Sequence, residues 1–207
     1  MKDNNHPADQ IPTDQILTAR DLRCAFAGPL DIDLHRGECL GLVGPSGSGK
    51  SAVLRMLADL IPHQGVVTLN GTECSAMTGP QWRRRVRYVQ SEPGWWAGFP
   101  AAHLRDAQAQ HDRLRALRLD PDVLNRSLDQ LSTGERQRIA FLRAIEDMPE
   151  VLLLDEPSSA LDPETTLCLE AMVRQMLAAG AGVVLVSHDA TQIGRLADRT
   201  QQMPKSA

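Results

Sequence analysis

Aromatic side chains are scarce in this 207-residue sequence, which contains three Phe, three Trp and one Tyr. Long apolar runs are also lacking, because the stretches 151–154 and 183–186 fall far below the ~20 residues that cross a bilayer. We therefore expect no membrane-spanning helix. Residues 1–15 are polar and mixed in charge, without the apolar segment of a secretory signal, and they predict a flexible tail on a cytoplasmic protein.

Paired cysteines and a strongly basic composition are lacking too. The four cysteines form no C-x-x-C pair and no histidine stands at metal-ligand spacing, which argues against a disulfide framework and a zinc site. The net charge of −4 gives no reason to expect nucleic acid as the main partner. With 42% hydrophobic and 23% charged residues, the composition is typical of a globular protein, and residues 1–207 suit a single domain.

Strand-like and helical segments alternate along the chain. Turn signals at Gly28-Pro29, Arg36-Gly37 and Asn70-Gly71 separate the early segments. The alternation predicts an α/β fold with a mainly parallel core sheet. The shorter β segments before it are expected to form an N-terminal antiparallel β-subdomain. Residues 91–145, rich in helix-forming positions, predict a small helical subdomain inserted in this core. The expected strands are residues 16–26, 30–34, 38–44, 65–71, 85–90, 151–155 and 182–187, and the expected helices are 50–60, 101–119, 134–145 and 163–179.

A glycine-rich loop, "GPSGSGKS", lies between an expected strand and an expected helix and fits G-x-x-x-x-G-K-[ST] in full. Glycines let the backbone turn tightly and approach phosphate oxygens, the lysine reaches the β and γ phosphates, and the last serine offers a hydroxyl to Mg²⁺. This loop alone is compatible with kinases and GTPases as well. The expected phosphate-binding residues are Gly44, Pro45, Ser46, Gly47, Ser48, Gly49, Lys50 and Ser51.

Two adjacent acids, Asp155 and Glu156, end the apolar run "VLLLD", at the edge where open α/β sheets bind ligands. We expect Asp155 to hold Mg²⁺ and Glu156 to act as the general base that orients the attacking water. Solvated loop acids are the alternative.

The stretch "LSTGERQR" has two interpretations. Ser132 and Glu135 have the spacing of a capping box, which predicts an ordinary helix start. The same residues can instead form half of an active site that another molecule completes.

The phosphate loop, "LSTGE" and "VLLLDEP", in this order, resemble the nucleotide-binding domains of the ATP-binding cassette (ABC) family over roughly residues 16–200. The resemblance implies a P-loop NTPase fold and an ATPase that uses Mg²⁺. It further implies that Gln90 contacts Mg²⁺ or the attacking water, that residues 158–162 form the D-loop, and that His188 contacts the γ-phosphate.

The resemblance also assigns Ser132 and Gly134 to phosphate contacts with a second subunit, and Phe26 to stacking on adenine. A core phenylalanine is the alternative for Phe26, since its distance of 18 residues from Gly44 is short for the family. Thr133 and Glu135 depart from the usual glycine and glutamine, and the β-branched Thr133 could weaken the closed dimer.

By the same resemblance, the chain is an ATPase subunit that powers transport through a separate integral membrane subunit. It would form a homodimer when ATP is bound and lie on the cytoplasmic face of the inner membrane. Trp95, Trp96 and Phe99, close to Gln90, either dock that partner or pack under the helical subdomain. A soluble ABC ATPase acting on nucleic acid or ribosomes and a non-hydrolysing scaffold are the alternatives. The motifs leave the transported substrate open.

Overall fold

The computed structural model describes residues 14–204, so the tail expected at residues 1–15 lies outside it except for Asp14 and Gln15, the latter already in a strand. Within this range there are nine strands: β1 (Gln15–Cys24), β2 (Ala27–His35), β3 (Cys39–Val43), β4 (Gln64–Leu69), β5 (Thr72–Glu73), β6 (Val86–Val89), β7 (Val151–Asp155), β8 (Gly182–Val186) and β9 (Arg199–Gln202). The α-helices are α1 (Lys50–Leu57), α2 (Gly79–Arg85), α3 (His111–Ala116), α4 (Thr133–Ile145), α5 (Pro163–Ala178) and α6 (Ala190–Leu196).

The core sheet is parallel throughout, with the strand order β6-β7-β8-β3-β9. Every residue of β7 and β8 is buried, as expected for apolar strands that are covered on both faces. Two clusters of buried apolar side chains lie against this sheet. The predicted α/β fold with a mainly parallel core sheet is confirmed, and the sheet aligns the ends of β3 and β7 at one edge.

The four-stranded antiparallel sheet, ordered β2-β1-β4-β5, contains the β segments that precede and follow the phosphate loop. The turns expected at Arg36-Gly37 and Asn70-Gly71 are confirmed. The turn expected at Gly28-Pro29 is wrong, because both residues lie inside β2 and the chain reverses at Ala25-Phe26 instead. Gly28 has φ +92, and a Cβ atom there would lie 2.2 Å from the Leu22 carbonyl oxygen. Glycine is therefore required here by the close approach of β2 to β1 and not by a turn.

The segment between β6 and β7 contains helices and loops but no strand within the described residues. The single helix expected at residues 101–119 is wrong, because only Pro100–His103 and Gln108–Gln110, both 3₁₀, and α3 are helical. Glu146 accepts hydrogen bonds from the backbone N–H groups of Arg105 and Asp106, which holds that stretch out of a helix. The extent of a helical subdomain at 91–145 remains a prediction.

Besides the two-residue strand β5, three strands and α-helices have no counterpart in the sequence-based expectations. The short helix α2 begins at Gly79, after the N-cap residue Thr78, whose hydroxyl forms a capping box with Gln81. The helix α6 begins at Ala190, after the N-cap residue Asp189. The strand β9 is a mostly exposed edge strand paired with β3. All three are short or polar, so hydrophobic periodicity does not detect them.

Candidate active site

The glycine-rich loop joins β3 to α1, the context that the motif requires. Gly47 and Gly49 have φ values of +77 and +87, in the left-handed region that favours glycine. A Cβ atom at Gly49 would lie 2.7 Å from the Cβ atom of Ala27, so close contact with β2 also requires glycine here. The loop ends at the N-terminus of α1, where free backbone N–H groups and the helix dipole favour an anion.

Lys50, the first residue of α1, places a buried ammonium group beside this loop. Its side chain is only 7% exposed, and Nζ donates to the carbonyl oxygens of Gly44 and Pro45, each at 2.9 Å. No carboxylate within residues 14–204 forms a salt bridge with Lys50. A buried cation without a protein counter-charge is unfavourable by itself, and its environment therefore fits an anionic ligand such as phosphate.

Asp155 ends β7 and faces the start of α1. Its Oδ1 atom accepts a hydrogen bond of 2.9 Å from the Ser51 hydroxyl, and its Oδ2 atom accepts one of 2.8 Å from the Tyr88 hydroxyl. Burial, and then the bond to Asp155, raise the pKa of Tyr88, so this phenol stays protonated. A carboxylate and a hydroxyl beside a phosphate loop are hard oxygen ligands that fit Mg²⁺.

Glu156 follows Asp155 in an unusual backbone conformation, with φ +51. Its N–H donates to the Val186 carbonyl at the end of β8, and its Oε2 accepts the backbone N–H of His188 at 3.2 Å. The His188 Nε2 atom lies 3.5 Å from Oε1. The buried Oε1 atom has no hydrogen-bond partner in the described part of the chain, so Glu156 retains a free acceptor.

A cavity of about 280 Å³ brings most of these groups together. It lies between the phosphate loop, the end of β7 and His188, and Phe26 is at its rim with 66% of its surface exposed. The core-residue alternative for Phe26 is therefore wrong, and its exposed ring is free to contact a ligand. The lining residues are Phe26, Ser46, Gly47, Gly49, Lys50, Ser51, Ala52, Arg55, Asp155, Glu156, Val186 and His188.

Gln90 does not line this cavity. It follows β6, is exposed, and lines a separate cavity of about 610 Å³ together with Trp96 and Arg143. Its strand neighbours β7, since Val89 pairs with Leu154, which places it near the acidic edge but facing another surface. Its contact with Mg²⁺ or water stays a prediction.

Ser132 and Gly134 also lie outside the phosphate-loop cavity. Ser132 caps α4: its hydroxyl accepts the Glu135 N–H, and Glu135 accepts the Ser132 N–H in return, at 3.2 and 2.8 Å. The predicted capping box is therefore confirmed. Gly134 touches the D-loop, because a Cβ atom there would lie 2.8 Å from the Ala160 carbonyl oxygen. We call the segment "LSTGE", residues 131–135, the signature. Within one chain, the signature and the phosphate loop form two separate surfaces.

Sequence reasoning missed two polar residues at this site. Tyr88 is the sole tyrosine of the chain and lies in a segment expected to be a strand, yet its bond to Asp155 spans 67 residues. Gln137 belongs to "LSTGERQR" and its side chain contacts the loop after Glu156. Neither contact can be predicted from local spacing. The position of Gln137 on the buried side of an amphipathic helix did indicate that its amide needs a hydrogen-bond partner.

Among residues 14–204, no helix is both long and apolar enough to cross a membrane. A glycine loop between strand and helix, a buried lysine, and a serine–aspartate pair at the edge of a parallel sheet define a P-loop nucleotide-binding protein.

The comparison with family models identifies the group within that class. The model described as "ABC transporter" matches residues 28–159, which is more than half of the chain. The chain belongs to the ABC transporter family.

Several curated proteins are similar over most of the chain. Protein STAR1 of Oryza sativa subsp. japonica is 40% identical over 82% of this chain and 52% of its own length. Methionine import ATP-binding protein MetN 2 of Salmonella choleraesuis is 38% identical, over 84% of this chain and 57% of its own length. Phosphate import ATP-binding protein PstB 2 of Natronomonas pharaonis is 35% identical, over 81% and 68%. The chain thus spans little more than half the length of the first two relatives.

Solved structures agree on the fold. The ATP-binding subunit of an ABC transporter superposes with a TM-score of 0.80 at 26% identity, covering 91% of this chain and 85% of the other. A bacterial Atm1-family ABC exporter with ATP bound gives a TM-score of 0.79 at 20% identity, covering 98% of this chain and 39% of the other. The predicted P-loop NTPase fold is confirmed.

Proposed function

We propose that this chain binds and hydrolyses ATP and that hydrolysis powers transport through a separate membrane subunit. The observation that carries the proposal is the single cavity where Lys50, Asp155, Glu156 and His188 meet the phosphate loop. The names of the methionine and phosphate import relatives support the coupling to transport.

The phosphate loop and Lys50 bind the phosphates of ATP. Lys50 exchanges its bonds to the Gly44 and Pro45 carbonyls for phosphate oxygens, which relieves the buried, uncompensated ammonium charge. The hydroxyl of Ser51 and the carboxylate of Asp155 hold Mg²⁺, with Gln90 assigned to the same role by family resemblance. When bound, Mg²⁺ offsets the charge on the β and γ phosphates.

Glu156 acts as the general base. Its Oε1 is buried without a partner and close to His188, so it is available to accept a proton from a water molecule. His188, with 63% of its side chain exposed, contacts the γ-phosphate, and Phe26 stacks on the adenine. These roles keep the reacting groups on rigid strand ends, where their geometry is preorganised.

A second copy of the chain completes the site. The signature residues Ser132 and Gly134 lie outside the cavity of their own subunit, and Ser132 is exposed at the N-terminus of the 13-residue helix α4. A twofold arrangement places each signature against the nucleotide of its partner, enclosing two ATP molecules. Loss of the γ-phosphate then loosens the dimer.

The membrane subunit docks on the surface near Gln90. Trp95 packs partly against the core, whereas Trp96 and Phe99 are 71% and 53% exposed. The Arg143 guanidinium lies 5.0 and 4.9 Å from the ring centroids of Trp95 and Trp96. Arg143 and Trp96 line the 610 Å³ cavity. Exposed aromatics beside a groove suit an interface anchor. With this docking, the proposal locates the chain on the cytoplasmic face of the inner membrane, as the family resemblance implies.

Replacement of Lys50 tests the nucleotide-binding part of the proposal. Lys50→Ala removes the buried charge that the phosphates offset, so we expect the Kd for MgATP to rise about tenfold or more. Isothermal titration calorimetry measures this, with Arg84→Ala, an exposed charge on α2, as the control. Unchanged affinity in Lys50→Ala would show that the cavity is not the ATP site.

A further inference from the structure

One side chain of α4, the signature helix, contacts the loop that follows β7 in the same subunit, residues 156–160. Gln137 on α4 is 1% exposed and uses both ends of its amide. Its Nε2 donates to the Glu156 carbonyl oxygen at 2.9 Å and to the Ser159 hydroxyl at 3.2 Å. Its Oε1 accepts the Ala160 N–H at 3.2 Å. The buried amide is therefore satisfied almost entirely by the loop that follows β7.

A second contact joins the same two elements. Gly134 lies one turn before Gln137 on the same face of α4, and its Cα approaches the D-loop so closely that an added Cβ would be 2.8 Å from the Ala160 carbonyl oxygen. At this point the first turn of α4 packs directly against the D-loop, with no room for a Cβ atom between them. A shift of either element by even half an ångström disturbs the other.

Glu156 needs such support because its backbone is in a sparsely populated conformation. At φ +51, a glutamate persists only where surrounding bonds determine its position. Three hydrogen bonds hold its backbone. Its N–H donates to the Val186 carbonyl oxygen, and its carbonyl oxygen accepts from Gln137 Nε2 at 2.9 Å and from the Ser159 N–H at 3.3 Å. Loss of the bond from Gln137 removes the shorter of the two bonds to this carbonyl and leaves the longer one from Ser159. The peptide unit after Glu156 can then shift, and the carboxylate moves with it.

We propose that Gln137 is a positioning residue for the general base Glu156, and that it links the signature helix to that base within one subunit. The inference rests on the proposed ATPase function. In the proposed dimer, the signature of one subunit contacts the nucleotide bound by its partner. This link therefore couples the binding of the partner's nucleotide to the position of Glu156 in the first subunit. Gln137 itself does not line the phosphate-loop cavity and touches no reacting atom.

The test compares steady-state ATP hydrolysis by the full chain and two variants. Gln137→Met keeps the length of the side chain without its polar atoms, and Gln137→Glu keeps an acceptor for Ala160 but removes the donor to Glu156. We expect kcat to fall about 10- to 100-fold in both, since misplacement of a catalytic group costs this much, with KM for ATP within about twofold. Gln110→Met is the matched control, because Gln110 is also buried but bonds to Glu146 and Arg113.

A dimerisation assay separates positioning from folding. In the Glu156→Gln background, Gln137→Met should still form the ATP-dependent dimer, because Ser132 and Gly134 are intact. Unchanged kcat, a loss of dimerisation, or an equal loss in Gln110→Met would overturn the inference while leaving the ATPase proposal standing. Absence of hydrolysis in the unmodified chain would overturn both.

Discussion

At the residue scale, the site depends on buried polar groups that form hydrogen bonds with one another. Lys50 binds loop carbonyls, and Asp155 accepts from Ser51 and Tyr88. The phosphate loop could be predicted from sequence because its residue types are fixed by the geometry they must adopt. Tyr88 and Gln137 could not, because a hydrogen bond between distant segments leaves no periodic pattern.

Removal of the Tyr88 hydroxyl measures one of these pairs. Tyr88→Phe takes away a donor to a carboxylate that is only 4% exposed, while the ring stays in place. We expect the free energy of unfolding to fall by about 1–3 kcal/mol, as for a buried charged acceptor that loses a donor. Urea denaturation provides the measurement, with Ser75→Ala, an exposed hydroxyl bonded to Glu73, as the control. Equal stability of Tyr88→Phe and the unmodified chain would mean that this bond contributes nothing.

At the element scale, the two interpretations of "LSTGERQR" are compatible. The capping box of Ser132 and Glu135 is formed within the single chain, and Arg126 adds a further bond to Glu135 at 2.9 Å. Burial alone would raise the pKa of Glu135, but the bonds from Ser132 and Arg126 outweigh it and the net shift is downward. Glu135, an unusual residue for the family at this position, is therefore suited to its helix as an anion.

The lowered pKa has a consequence for acid stability. A depressed carboxyl pKa contributes stability above the unfolded pKa of about 4.3, and this contribution is lost as the pH falls through the folded value. Glu135→Gln lacks that titration, so between pH 6 and about pH 3 it should lose less stability than the unmodified chain. Urea titrations at a series of pH values measure the difference. An identical acid dependence in both proteins would contradict the assigned bonds.

Strands and helices were predicted correctly where their burial in the core gives the sequence a regular hydrophobic pattern. The fully buried β7 and β8 follow from their apolar residues, and α4 and α5 from helical spacing. The edge strand β9 was missed because the polar segment "RTQQ" is a strand only through its pairing with β3. The composition of the segment does not predict this tertiary contact. The interruption at residues 104–107 was missed because Glu146, far along the chain, binds the backbone there.

At the scale of the whole molecule, the chain carries two surfaces that do not meet in one copy. The phosphate-loop cavity contains Lys50, Asp155, Glu156 and His188, whereas Ser132 and Gly134 lie at the start of α4, packed on the D-loop. Sequence motifs predicted both surfaces but gave no distance between them. Their separation in one chain is the physical reason for proposing a dimer that opens and closes with the nucleotide.

The mass of Glu156→Gln in solution tests this central claim most directly. The substitution preserves side-chain shape but removes the base, so bound ATP persists. By light scattering, Glu156→Gln should have twice the monomer mass with MgATP and the monomer mass without it. Adding Ser132→Ala should reduce the dimer fraction if the serine contacts the partner's nucleotide. A Glu156→Gln protein that binds ATP yet remains a monomer would contradict the two-surface account.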